Sequence, residues 1–402
     1  MMASGQSDSA PRANAPSRRR SEKRRSLFAP TVWHGMTLGP WLSLVARNRF
    51  GISPVNWPTA ASISAAAIIN SLFAAVQSLV LSRQISRTEI REPPVFIIGH
   101  WRSGTTLMQR LFALDERFAF PTAYECFAPR SAQITAPIVT RWLRFLHPAR
   151  RPMDEMPAGP LEPHEDEFAL ANMGLPSPYS QLAFPNRPSP QNTLDFDGSS
   201  AEELGRWKRE LLRFVRQVTW RAGGKRLVLK SPPHTARVRL LAELFPDARF
   251  VHIVRNPMRV FPSTMWLWQS LWKAHGLTRG HEARLEDRVF RDLIRMYRAF
   301  WSQKAFIAPG NLCELRYGDL VGDPIAEMSR AYQQLRLGGF EAIRPKIREY
   351  FERTRDYQTN RFSLDAPTIA RIADRWREFI EEYHYDDEVP HVNETRAALL
   401  AA

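Results

Sequence analysis

The run Val95-Phe96-Ile97-Ile98-Gly99-His100-Trp101-Arg102-Ser103-Gly104-Thr105-Thr106 decides the fold. Its first four residues are continuously apolar, as in a strand buried on both faces of a parallel sheet. Pro93-Pro94 ends any helix before it, and after the loop Leu107, Met108, Leu111, Phe112 and Leu114 recur at helical spacing. Strand, glycine-containing loop and helix start together make a cradle of backbone N–H groups for a phosphate-like anion. The loop has the outline of the GxxxxGK[ST] motif, but Thr105 stands where the Lys belongs. Thr106 takes the Ser/Thr position, and the positive charge has moved into the loop as Arg102.

Outward from this unit, further short apolar runs read as strands: Leu227–Lys230, Arg249–Val254 and Leu312–Tyr317. Between them, Leu204, Trp207, Leu211, Phe214 and Val218 mark one face of a helix that Gly223-Gly224 stops. Leu285, Val289, Leu293, Met296 and Phe300 mark another. Trp266, Trp268 and Trp272 read as helix packing. The alternation predicts an α/β fold: a P-loop-like parallel sheet flanked by helices, with an N-terminal helical segment and a Pro-rich insertion. The divisions are a basic arm at 1–26 without a core of its own, helices over 27–84, the α/β domain at 85–385, its insertion at about 121–190, and a tail at 386–402. Ten of the 31 prolines fall between residues 148 and 190, which makes that stretch irregular. Inside it, Glu165-Asp166-Glu167 puts acids at the favourable end of a short helix.

The 402 residues are 44% hydrophobic, which excludes global disorder, and carry a net charge of +15, which implies an anionic partner. Residues 1–26 hold +5 of it in a Ser/Ala/Pro-rich stretch expected to be solvated. Arg24-Arg25-Ser26-Leu27-Phe28 is a weak likeness of a twin-arginine export signal, but His34, Arg47 and Arg49 deny it a clean apolar segment. Cys126 and Cys313 lack CxxC spacing, and a reducing cytoplasmic setting is expected. No charged residue occurs from Gly51 to Ser82, and Ala60–Leu81 reads as a helix. Its first reading is a helix packed on the domain. Peripheral membrane contact through residues 51–82 comes second, and a true span last.

At four strand ends the sequence resembles the sulfotransferases that use 3′-phosphoadenosine 5′-phosphosulfate (PAPS), most closely the bacterial group related to tyrosylprotein sulfotransferases. Gly99-x-x-Arg102-Ser103-Gly104-Thr105-Thr106 resembles their 5′-phosphosulfate loop. Ile253-Val254-Arg255-Asn256-Pro257, with Ser263 eight residues after Arg255, is similar to their 3′-phosphate site. Leu229-Lys230-Ser231-Pro232 matches the strand end that carries a Lys beside the transferred group. Arg316-Tyr317-Gly318-Asp319-Leu320 looks like the late turn whose Tyr lies near adenine, and Arg361 falls where relatives place a basic phosphate-contacting loop. The resemblance covers roughly residues 85–385. It implies in-line sulfuryl transfer from PAPS to a hydroxyl or phenol of a small-molecule or polymer acceptor, with Arg102 and Lys230 countering the charge. No metal and no nucleic acid are expected.

The general base is open. Cytosolic relatives carry a His where this chain has Pro232. Golgi-type relatives use a Glu downstream of the loop, and Glu125 sits at a comparable place. Glu165 is its rival, with His164, Asp166 and Glu167 behind it. Two other functions compete: a P-loop phosphotransferase or nucleotide-binding protein that has lost its Lys, and a basic membrane-surface binding protein.

Overall fold

A computed structural model describes residues 30–146, 159–187, 193–355 and 362–388. The arm at 1–26 and Arg361 lie outside the described residues. Five strands form a parallel sheet in the order β2-β3-β1-β4-β5: β1 Val95–Ile98, β2 Phe118–Ala119, β3 Arg226–Lys230, β4 Arg249–Val254 and β5 Leu312–Arg316. The fold class is the α/β sheet expected from the sequence. The two-residue β2 is too short to leave a pattern.

Period-two alternation sends Phe96, Ile98, Leu229 and Phe250 to one core, and Val95, Ile97, Val228 and Val251 to the other. Both faces are covered, which is why β1 reads as an unbroken apolar run. Burying one Phe such as Phe96, fully inaccessible, contributes about 1.5–3 kcal/mol.

The helices follow chain order. α1 (Leu38–Arg47) and α2 (Trp57–Arg87) precede the sheet, and α3 (Thr105–Ala113) follows β1. Four helices lie between β2 and β3: α4 (Ala123–Phe127), α5 (Ala132–Leu146), α6 (Glu167–Asn172) and α7 (Ala201–Arg221). α7 starts with a capping box in which Ser200 Oγ accepts from Glu203 N and Glu203 accepts from Ser200 N. It stops at Gly223 and Gly224, with φ of +64° and +85°. α8 (Val238–Leu244) joins β3 to β4, while α9 (Pro257–His275) and α10 (Glu282–Gln303) join β4 to β5.

α2 is a helix packed on the domain, as first read: it buries Thr59, Ala60, Ile63, Ala67, Gln77, Leu81 and Ile85, while Ile68, Ile69, Leu72, Leu79 and Val80 stay exposed.

Gly99 ends β1 at φ +140°, where an added Cβ would stand 2.3 Å from the Ile253 carbonyl oxygen on β4. Gly99→Ala is expected to destabilise the fold by about 2 kcal/mol or more, read as a lowered midpoint in urea denaturation with an unchanged slope.

Candidate active site

The sheet brings the C-terminal ends of β1, β3, β4 and β5 to one edge, where open α/β sheets place their ligands. The loop after β1 is wound tightly. Gly99, Arg102 and Gly104 have φ of +140°, +68° and +113°, and Gly104 is the residue that opens α3. A side chain on Gly104 would strike the Tyr317 ring at 2.4 Å. Thr235 Oγ1 accepts from Gly99 N at 2.7 Å, tying the loop to the segment after β3.

Four predicted residues meet here. Arg102 Nε donates to Ser263 Oγ at 2.8 Å, and Arg255 donates to the Arg102 carbonyl at 3.2 Å. The Arg255 guanidinium lies 4.1 Å over the Tyr317 ring. Arg102 therefore turns toward the Arg255 and Ser263 pair rather than toward Lys230. Ser103 and Thr105 are buried, Thr106 is half-buried, and Ser103 Oγ has no hydrogen-bond partner among the described residues. A buried orphan hydroxyl in a glycine-hinged loop, flanked by two arginines, fits an anion with more than one charged end.

A second cluster surrounds the end of β3. The Lys230 side chain has no exposed surface. Its Nζ donates to Glu165 Oε1 at 2.5 Å and reaches Thr106 Oγ1 at 3.5 Å. Tyr179 OH donates to the other Glu165 oxygen and accepts from Trp101 Nε1 at 2.8 Å. Burial, then the neighbouring Glu165 charge, pushes the Tyr179 phenol far above its ordinary value, so it keeps its proton. Burial pushes His100 down to about 4, leaving it neutral at physiological pH.

The acidic triplet does more than favour a helix start. Each acid pairs with a different residue of the buried segment Lys230–Arg237. Glu165 takes Lys230, Asp166 binds His234 at 2.5 Å and Ser231 at 3.1 Å, and Glu167 forms a bidentate pair with Arg237 at 2.7 and 3.1 Å. Arg237 is completed by the carbonyls of Leu194 and Thr193 and by the Phe196 ring at 4.3 Å.

Glu125 is occupied elsewhere. It accepts from Thr122 N and Oγ1 in the capping box of α4, from Gln133 Nε2 at 2.9 Å, and from Arg221 at 2.9 and 3.1 Å. Glu125 is thus taken up by a helix cap and Arg221, whereas Glu165 is the carboxylate in contact with Lys230. His164 stands beside Phe127 and Phe168 at ring distances of 4.8 and 5.0 Å, and Trp268 packs under Trp101 at 5.4 Å. Trp101, Tyr179 and Thr235 were not legible as site residues, because tertiary contacts alone bring them to the loop and to Glu165.

The model of the sulfotransferase family matches residues 93–341, more than half of the chain. The chain belongs to the sulfotransferase family. It is 39% identical over 376 residues to the omega-hydroxy-beta-dihydromenaquinone-9 sulfotransferase Stf3 of Mycobacterium bovis, and equally to that of Mycobacterium tuberculosis; the match covers 92% of this chain and 96% of each relative. The fold matches sulfotransferase STF9 of Mycobacterium avium at a TM-score of 0.63 and 16% identity, covering 87% of this chain and 96% of that one. Sulfotransferase STF1 of Mycobacterium tuberculosis matches at 0.55 and 16%, covering 84% and 90%. Family membership decides between sulfuryl and phosphoryl transfer: the protein is an enzyme that moves a sulfuryl group to a hydroxyl acceptor. These likenesses do not single out the tyrosylprotein subgroup.

The buried pairs set two stability outcomes. Arg237→Ala strands a buried Glu167 and is expected to cost about 3–5 kcal/mol, read by chemical denaturation. Burial raises the Asp166 pKa, but the charge and hydrogen bonds of His234 and the Ser231 bond outweigh it, so the folded value lies below the ordinary 3.8. The stabilisation is therefore present above pH 3.8 and lost as pH falls through the depressed value. Asp166→Asn should be less stable than the parent at neutral pH, with the gap closing in acid.

Proposed function

We propose that PAPS is the donor, that Lys230 carries the cation at the leaving oxygen, and that Glu165 is the general base. The observation that carries this reading is Lys230 Nζ standing between the Thr106 hydroxyl at 3.5 Å and the Glu165 carboxylate at 2.5 Å. The anion-holding loop and the proton acceptor thus meet at one ammonium.

The bound donor supplies the sulfuryl group and carries away the bridging oxygen. Arg102, Arg255 and Ser263 would hold its 3′-phosphate, a charge-assisted contact that excludes nucleotides lacking one. The Ser103–Thr106 loop would take the phosphosulfate end, and Tyr317 would flank the adenine. Glu165 takes the acceptor's proton at Oε1 while Tyr179 fixes its other oxygen. Lys230 Nζ counters the negative charge built up on the transferring side.

An acceptor whose hydroxyl ends an apolar body is supported by two observations. The relative at 39% identity is named for a hydroxylated dihydromenaquinone. Phe127, His164 and Phe168 make a continuous aromatic wall next to Glu165. The buried free cysteines Cys126 and Cys313 support a cytoplasmic setting.

Calorimetric titration is expected to show 3′-phosphoadenosine 5′-phosphate binding about tenfold or more tighter than adenosine 5′-phosphate, with Arg255→Ala erasing the difference. Equal binding of the two nucleotides by the parent would sink the donor assignment. Glu165→Gln should lower kcat by about 10²–10⁴-fold at unchanged nucleotide affinity. Glu125→Gln should instead lower stability with kcat near the parent's; the reverse pattern would return the base to Glu125.

A further inference from the structure

We infer that the outward face of α2 is a docking surface for an anionic lipid bilayer, on which the protein rests without spanning it. The helix is apolar nearly all round, and a large part of that apolar surface is left uncovered by the protein. Ile68, Ile69, Leu72, Val76, Leu79 and Val80 face outward, Leu72 at 65% and Leu79 at 86% exposure, where a soluble helix carries its charges. From Trp57 to Leu79 this stripe runs roughly 33 Å at the helical rise.

The opposite face is fastened to the protein by polar side chains. Ser64 accepts from Trp41 Nε1 and Ser71 from Leu38 N, both at 2.9 Å. Asn70 donates to the carbonyls of His34 and Met36 at 2.7 and 3.1 Å. Gln77 donates to Gln217 at 3.1 Å and accepts from Gln133 N at 2.9 Å. A transmembrane placement would tear these groups from their partners into hydrocarbon. A helix lying in the interface keeps them all.

Charge selects the occupant. Residues 1–91 hold twelve Lys and Arg against three acids, nine of the fifteen net positive charges of the whole chain. Exposed Arg47 and Arg49 lie beside exposed Phe50 at one end of the stripe, and exposed Arg83 and Arg87 at the other. At the latter end a cavity of about 340 Å³ opens between α2 and α7, lined by Ser82, Ile85 and Ser86 and by Arg209, Arg213 and Arg216. The three arginines recur at helical spacing along α7, and among the described residues no carboxylate forms a salt bridge to any of them. Apolar residues flanked by cations, with an arginine-lined recess at the rim, match acyl chains beneath a layer of phosphate headgroups. A second copy of the chain would bring the same cations against themselves.

Flotation of the full chain with vesicles of equal parts phosphatidylcholine and phosphatidylglycerol, against phosphatidylcholine alone, tests the surface. The parent should float with the anionic vesicles, and less so as salt rises. Leu72→Glu with Leu79→Glu should lower partitioning by about tenfold or more. Arg213→Glu with Arg216→Glu should reduce binding to the level seen on neutral vesicles. Thermal midpoints equal to the parent's separate loss of docking from loss of fold. A parent that stays with the unbound fraction, or flotation that survives both variant pairs, overturns the inference. So does a parent dimer in light scattering that the leucine variant converts to monomers while flotation persists.

Discussion

An ammonium with no exposed surface at the end of a buried strand has to be matched by a carboxylate, and much of this structure is arranged around that requirement. Lys230 closes β3, and Glu165 meets it from the Pro-rich insertion. Desolvating an isolated ammonium costs far more than one packing contact returns, so the insertion is held where its acid can reach. The two acids that follow repeat the device, on His234 with Ser231 and on Arg237. Once this stretch is docked, Tyr179 is carried to the Glu165 carboxylate and Phe168 stacks on Tyr179 at 4.4 Å.

The loop after β1 depends on a different constraint, the close approach of backbones at the sheet edge. Gly99 leaves no room for a side chain against Ile253, and Gly104 none against Tyr317. Within that space Arg102 takes a left-handed conformation without being glycine, the kind of strain that persists where the surroundings over-determine it. The cations that meet there come from three strand ends distant in sequence.

The net charge of +15 divides along the same lines. Arg102, Lys230 and Arg255 have their place at the strand ends, and Arg237 is consumed by a buried pair that never meets a ligand. The larger share lies before β1 in the sequence, where Arg83 and Arg87 end a helix whose exposed face is apolar.

The local features were legible because local physics sets them. An unbroken apolar run means a strand covered on both faces. Paired glycines end α7, and a glycine-hinged loop at a helix start means an anion. Arg102, Ser263, Arg255 and Tyr317 could be named in advance, since each occupies a fixed distance from a strand end. The role of an acid could not be named. Glu125 and Glu165 are the same residue type, and only the tertiary structure gives one to Arg221 and a helix cap and the other to Lys230. The same holds for α2, whose helical character follows from composition while its outward apolar face follows from what packs against it. The sequence by itself determined the sheet and the glycine-hinged loop after β1, because backbone conformation and strand burial are short-range. Which carboxylate serves the lysine, and which face of a helix meets solvent, depended on contacts between residues far apart in the chain.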